Sequence, residues 1–282
     1  MKRRLYTLVV PRFEDIFHSY FAQEIIKGAS SAASHINADL LIHITERGSH
    51  DDWISACALK PGFSDGIMFA DIDQDRSGLN RIISRNIPHL VLNNYFDGPG
   101  NCIGIDNYKA TLKIVDYLLR LGHKRIATIC GELNTQAGSQ RLKGFKDRLK
   151  AHGLEVNDKY IKKGEFLRTP ARRAAEYLLG LDNPPTAIFA ASDVMALEVL
   201  DVAKKKNIKI PEDLSVIGFD DNPLNVYSPI SLTTVRQPIA EMARMGLEIL
   251  NRIVKRQEKL PVKQKLSARL IKRDSCGEYK IK

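Results

Sequence analysis

Two apolar runs, Ala187–Ala191 and Leu214–Phe219, stop abruptly at polar pairs, Ser192-Asp193 and Asp220-Asp221. A segment of helical character, 193–206, joins them. Carboxylates at two strand ends suit one of two chemistries. They can move protons in acid–base catalysis, or they can accept hydrogen bonds from a small polar ligand. Catalysis would need a nucleophile, a metal set or a phosphate loop beside them. None of the spacings GxxxxGK[ST], GxGxxG, HExxH or GxSxG occurs, and Gly98-Pro99-Gly100 lacks the following helix that a phosphate loop requires. The residues therefore point to binding rather than to an enzyme. Within each pair the roles stay open. Asp193 reads as a helix cap or as a ligand contact, and Asp220 as a ligand contact or a turn residue, with Asp221 the better turn or cap candidate.

Those strand ends need a scaffold of alternating strands and helices. Strands are expected at Leu5–Val10, Leu40–Ile44, Gly66–Ala70, His89–Leu92, Cys102–Ile105, Arg125–Cys130, Ala187–Ala191, Leu214–Phe219, Leu232–Val235 and Ala268–Ile271. Helices are expected over 20–36, 76–86, 107–121, 138–152, 170–180, 193–206 and 238–256. Strands separated by helices of this length make βαβ units and parallel sheets. The runs are unbroken rather than alternating, as in strands covered on both faces. A chain of 282 residues is long enough for two such α/β domains.

Bulk properties narrow the class. No apolar run approaches the ~20 residues of a membrane helix. The opening Met1–Pro11 has only a short apolar run and no small-residue cleavage site, so Leu5–Val10 reads as a strand and the protein is expected in the cytoplasm. Cys57, Cys102, Cys130 and Cys276 have neither CxxC spacing nor a histidine cluster, which argues against a metal site or a disulfide framework. Net charge is +10, and residues 251–282 hold eleven Lys or Arg against three acids, a basic surface open to solvent or to an anionic partner.

Several blocks together resemble the lactose repressor/galactose repressor (LacI/GalR) family of transcription regulators. They are Pro185–Leu197, Ile210–Asp221, Leu232-Thr-Thr-Val-Arg-Gln-Pro238, Ile105-Asp-Asn-Tyr108, Leu121-Gly-His-Lys-Arg-Ile126, Arg141-Leu-Lys-Gly-Phe145 and Leu270–Cys276. The resemblance covers essentially the whole chain as the effector-binding part of such a protein. It implies two Rossmann-like parallel-sheet subdomains joined by three hinge crossovers, the type I periplasmic-binding-protein-like fold. On that topology the crossings fall near Leu121-Gly122, Leu232–Gln237 and Lys265–Leu270, giving domains 1–121 plus 236–266 and 122–235 plus 267–282. The resemblance further implies a homodimer, no cofactor, and a small-molecule effector, a sugar or sugar derivative, bound in the interdomain cleft. DNA would be read through a helix-turn-helix that this chain does not contain, and no membrane is involved. The alternatives are a sugar-binding protein with no DNA function, or a regulator whose effector is a phosphorylated carrier protein.

By the same resemblance the ligand contacts are Phe21, Asn93, Arg141, Phe166, Ser192, Asp193 and Asp220. Arg141 would supply paired donors from early in helix 138–152. Phe166 would stack on the ligand, and Phe21 would line the other side of the pocket, with Tyr20 as its alternative. Asn93 ends the fourth strand and either contacts ligand or shapes the turn with Asn94, Asp97 and Gly98. The loop Arg12–Ser19 is about four residues longer than the usual one, which blurs the correspondence around Phe21.

Overall fold

The computed structural model describes residues 3–11, 19–45, 62–223, 225, 228 and 230–280. Cys57 and most of the long loop after Pro11 lie outside them. In chain order the elements are β1 (Arg4–Pro11), α1 (Tyr20–His35), β2 (Ala38–Thr45), β3 (Gly66–Phe69), α2 (Ser77–Ser84), β4 (His89–Leu92), β5 (Cys102–Ile105), α3 (Asn107–Arg120) and β6 (Ile126–Cys130). They continue with α4 (Gln136–Ala151), β7 (Ile161–Lys163), α5 (Arg168–Leu178), β8 (Ala187–Ala190), α6 (Asp193–Lys205), β9 (Ser215–Ile217), β10 (Thr234–Arg236), α7 (Ile239–Val254), β11 (Lys263–Leu266) and β12 (Arg269–Ile271). No helix among the described residues is long and apolar enough to cross a membrane.

The chain divides into two units, Met1–Ile105 with Pro238–Ser267, and Asp106–Gln237 with Ala268–Lys282. The sheet of the first unit has the order β11-β5-β4-β3-β1-β2 and that of the second β7-β6-β8-β9, with every described pair inside both sheets parallel. The central strands β3, β4, β5, β6 and β8 are buried along their whole length, which is why they read as unbroken apolar runs. Two strands differ from the expected set, β11 overlapping a stretch expected only as a hinge crossing. β7 reads IKK and β11 reads KQKL, and each sits at a sheet edge where one side needs no apolar partner and lysine blocks further pairing. A short antiparallel ribbon, β10 with β12, adds to the second unit.

The first crossing corrects the sequence expectation. It falls at Ile105/Asp106 rather than after Leu121, so α3 belongs to the second unit. The cause is packing against α4. Arg148 holds Asp116 through Nε at 2.5 Å and Nη2 at 2.7 Å, and Tyr108 donates to Asp147 at 3.1 Å. Gly144 lets the two helices close, since a Cβ there would stand 2.8 Å from the Tyr108 carbonyl oxygen. The other crossings fall at Gln237/Pro238 and Ser267/Ala268.

In the first unit α1 and α7 pack together over one face of the sheet, with Ile25, Ala29 and Ala32 from α1 and Met242, Leu247 and Leu250 from α7 in one core. Ser19 caps α1 by accepting from the Ala22 N–H. The helices touch at Gly28, where a Cβ would lie 2.0 Å from the Ala240 carbonyl oxygen. At the other unit's sheet, buried His123 meets Thr186 Oγ1 at 3.0 Å, Ser215 Oγ at 2.9 Å and the Gly277 carbonyl at 3.1 Å, and so pins the C-terminal segment. Burial lowers its pKa, against the hydrogen bond with the Gly277 carbonyl, which raises it.

Gly28→Ala discriminates packing from propensity. Alanine would favour an uncrowded helix by about 1 kcal/mol. The contact with Ala240 reverses the sign, and a loss of about 1–3 kcal/mol in denaturant unfolding is expected. Unchanged or increased stability would contradict this close approach.

Candidate functional site

In the second unit β6 comes first in the chain and lies between β7 and β8. The winding direction reverses between β6 and β8, and ligand crevices form beyond the carboxyl ends of strands at such a point. Arg141 is delivered there by α4. Thr135 caps this helix by accepting from Gly138 N–H at 3.1 Å, and Gly138 lets the first turn fold over Glu132, whose carbonyl oxygen would stand 2.0 Å from a Cβ. One turn later Arg141 is only 2% exposed. Its Nε donates to Asn107 Oδ1 at 2.9 Å and its Nη1 to the Ala191 carbonyl at 2.6 Å, the latter at the end of β8. The guanidinium carbon sits 3.5 Å from the Phe219 ring centroid and 5.7 Å from that of Phe166. A buried cation is thus met by two carbonyl oxygens and two aromatic faces.

Phe166 reaches this point through an unusual backbone. Glu165 and Phe166 take φ of 57° and 59°, a left-handed region that costs a non-glycine residue on the order of 1 kcal/mol. The Gly164 and Glu165 N–H groups both donate to the Cys130 carbonyl, so the loop is tied to the end of β6. The ring then lies directly over Gly131, where a Cβ would come within 2.0 Å of it.

The paired strand-end residues divide their work. Ser192, not Asp193, is the N-cap of α6, its hydroxyl accepting from Met195 N–H at 3.4 Å. This corrects the reading of Asp193 as the cap. Asp193 is completely buried and acts as a clamp. Its Oδ2 accepts from Asn222 N–H at 2.7 Å and Asn225 Nδ2 at 2.8 Å, and its Oδ1 accepts from Thr234 Oγ1 at 2.6 Å. Its own N–H donates to the Phe219 carbonyl at 2.7 Å, and Gly218 leaves the room, since a Cβ there would stand 2.1 Å from Oδ1. Burial raises the Asp193 pKa while those three donors pull it down.

Asp220 is half-buried with φ of 127°, and its N–H donates to the Val235 carbonyl at 2.8 Å. Its Oδ1 accepts from Gln237 Nε2 at 2.6 Å. Burial pushes this carboxyl up, to about 7; the Arg141 charge opposes the rise and the Asp193 charge adds to it. Asp221 behaves oppositely. Burial works to raise it, but hydrogen bonds from Arg273 at 2.6 Å and Arg236 at 2.5 Å outweigh that and hold it below the usual range.

The structure therefore brings Arg141 against Phe166 and within electrostatic reach of Asp220, and Ser192 and the buried Asp193 follow the Ala191 carbonyl that Arg141 meets. Asn107, Gln237 and Phe219 belong to the cluster and were not singled out from sequence. The candidates of the first unit are Asn93 and Phe21. Asn93 ends β4 with φ of 59°, is 4% exposed, and approaches Asp71 Oδ2 with Nδ2 at 3.5 Å, while neighbouring Asn94 donates to Asp71 Oδ1 at 2.5 Å. Phe21, on the opening turn of α1, packs half-buried against the core of that unit. Among the described residues no cluster of three His, Cys, Asp or Glu is placed to hold a metal.

Comparison with known proteins agrees with this architecture. Residues 115–276 match the family model of the periplasmic binding protein-like domain. The HTH-type transcriptional repressor CytR of Escherichia coli K12 is 40% identical over 168 residues, 59% of this chain and 49% of CytR. The chain thus spans about half the length of that relative. The HTH-type transcriptional regulator DegA of Bacillus subtilis strain 168 is 32% identical over 247 residues, 86% of this chain and 71% of DegA. A solved complex of the transcriptional regulator CelR with cellobiose superposes with a TM-score of 0.87 at 26% identity, covering 97% of this chain and 85% of that one. With a parallel-sheet fold wound this way and relatives of this kind, the chain belongs to the LacI family of transcriptional regulators, through their periplasmic-binding-protein-like effector domain.

Proposed function

We propose that this chain is the effector-binding and dimerisation part of a cytoplasmic LacI-type regulator, and that its effector is a sugar or a similar small polar molecule. The observation that carries the reading is the Arg141 guanidinium, 2% exposed, against Phe219 and Phe166 with the Asp220 carboxylate beside it. An arginine, a carboxylate and aromatic faces are the groups that read ring hydroxyls and cover an apolar ring face. Contacts from Asn93 and Phe21 on the same ligand belong to the proposal. Occupancy would then favour one arrangement of the units over another, to the extent that the ligand's affinity for the two differs. DNA heads carried on a homodimer would register the change. Support comes from the family and from the cellobiose held by CelR.

Calorimetry against pentoses, hexoses, disaccharides and nucleosides tests the binding step. One class should bind saturably, and Arg141→Ala should weaken it at least ~100-fold, because a charged hydrogen-bonding group and its aromatic packing are lost together. Binding that survives Arg141→Ala would place the effector elsewhere. Expression with the natural upstream coding sequence, followed by DNA binding with and without the hit, tests the regulatory step. An affinity for DNA indifferent to a bound hit would overturn it.

The raised carboxyl at Asp220 has a defined sign in pH. A group whose folded pKa exceeds its unfolded value stabilises the fold fully below the unfolded value, near 3.8, and the contribution is lost as pH rises through about 7. Asp220→Asn removes this loss. Its stability relative to the parent should rise between pH 5 and pH 8 by on the order of 1–3 kcal/mol, while effector binding falls. Thermal unfolding across that range checks it, and a difference independent of pH would contradict it.

A further inference from the structure

We infer that the first unit carries a second small-molecule site, at the amino ends of β1, β2 and β3, and that it takes an organic anion: a phosphate or carboxylate group on an apolar body. The inference goes beyond the effector reading and does not depend on it. A cavity of about 520 Å³ opens there, between the starts of those strands and the carboxyl ends of α1 and α7. That volume suits a small ligand. Because the strands run parallel, the cavity is at the other end of the sheet from Asn93, which follows β4.

Its wall is rich in donors. Asn251, in the last turn of α7, is 7% exposed. Its Oδ1 accepts from the Tyr6 hydroxyl at 2.9 Å and from Arg4 Nη1 at 3.4 Å. Tyr6 is fully buried, and burial pushes its pKa up to about 12, so its hydroxyl keeps its proton and stays a donor. The amide is fixed by these two bonds, and its Nδ2 meets no acceptor among the described residues. Arg4 spends one N–H on Asn251. Among the described residues neither Arg4 nor Lys255, which follows the last turn of α7, has a carboxylate partner.

Against these donors the lining sets one carboxylate, Asp65, whose Oδ2 already accepts from the Leu5 N–H at 2.8 Å. Arg3, the third cation, is matched by Asp39 at 3.2 Å. The carbonyl ends of α1 and α7 offset part of the positive charge, but they leave the N–H groups of Asn251, Arg4 and Lys255 without acceptors. Phosphate or carboxylate oxygens would accept from them, with charge assistance from the two cations. An exposed lysine alone would be met by water. The Asn251 amide is different, because Tyr6 and Arg4 hold it with its free donor toward the cavity. Phe63, 44% exposed, and half-buried Ile36 belong to the same lining and offer apolar surface to the body of the ligand.

Calorimetry with phenyl phosphate, benzoate, inorganic phosphate and phenol tests the site, at an ionic strength of about 0.15 M to screen distant charges. At least one of the two aromatic anions should bind saturably. Inorganic phosphate and phenol each carry half of the recognised chemistry and should bind about 10-fold more weakly or not at all. Arg4→Gln and Lys255→Gln should each weaken the bound anion about 3- to 10-fold. Asn251→Asp keeps the acceptor for Tyr6 and puts an oxygen where the free donor was, which should cost about 10-fold or more. Lys259→Gln removes an exposed charge four residues beyond Lys255 that does not line the cavity, and should change the affinity by less than about 2-fold. Equal losses in Lys255→Gln and Lys259→Gln would reduce the site to a diffuse basic surface and overturn the inference. Binding unmoved by both Arg4→Gln and Lys255→Gln, phenol tighter than phenyl phosphate, or no saturable binding of either aromatic anion would overturn it as well.

Discussion

A guanidinium removed from water loses several kcal/mol of hydration, and Arg141 is enclosed almost completely. Much of the second unit is arranged around meeting that charge. The end of β8 turns its Ala191 carbonyl to one nitrogen, and Asn107 at the start of α3 gives its side-chain oxygen to another. Phe219, two residues beyond β9, lays its ring centroid 3.5 Å from the guanidinium carbon. Phe166 accepts a left-handed backbone, and Gly131 gives up a side chain, so that a second ring can stand nearby. None of these groups carries a full negative charge. The charge of Arg141 in turn opposes the rise of the Asp220 carboxyl, which burial pushes up to about 7.

The two acidic pairs show how like residues at like places take unlike roles. Asp193 spends both oxygens on three donors from the segment 222–234 and closes that segment against the start of α6. Asp221 spends both of its oxygens on Arg236 and Arg273 and so fastens the β10–β12 ribbon. Asp220 precedes Asp221 in the chain, and among the described residues its side-chain donor is Gln237. Gln237 is also the last residue before the chain leaves the second unit. On the proposed reading, a ligand that competes for Asp220 would act on the residue at a crossing point.

The strand runs and the acidic strand ends were legible because they are local: an apolar run of four or five residues bounded by a polar pair needs no partner to be seen. The division of labour between Asp193 and Asp220 was not. It depends on Asn222, Asn225 and Thr234, which return to Asp193 from 29 to 41 residues away. Asn107 stood inside the block Ile105–Tyr108 that carried the family resemblance, yet an asparagine at a helix start reads as capping until its arginine partner is known. β7 and β11 left only weak signals because edge strands can be polar. The crossing after Ile105 escaped because β5 runs straight into Asp106, which caps α3, with no loop between them. Gly122, with φ of 87°, is a true helix C-cap signal, but it ends a helix inside one unit.

The central claim is that effector hydroxyls bind the Asp220 carboxylate beside Arg141. Donors to a carboxylate favour its ionised form. The direct measurement is the titration of Asp220 followed by carbon NMR of its carboxyl, free and with a saturating hit. A fall in its pKa on binding, from about 7 toward the usual carboxylate range, is the expected result. A titration that the bound ligand leaves unmoved would contradict the account.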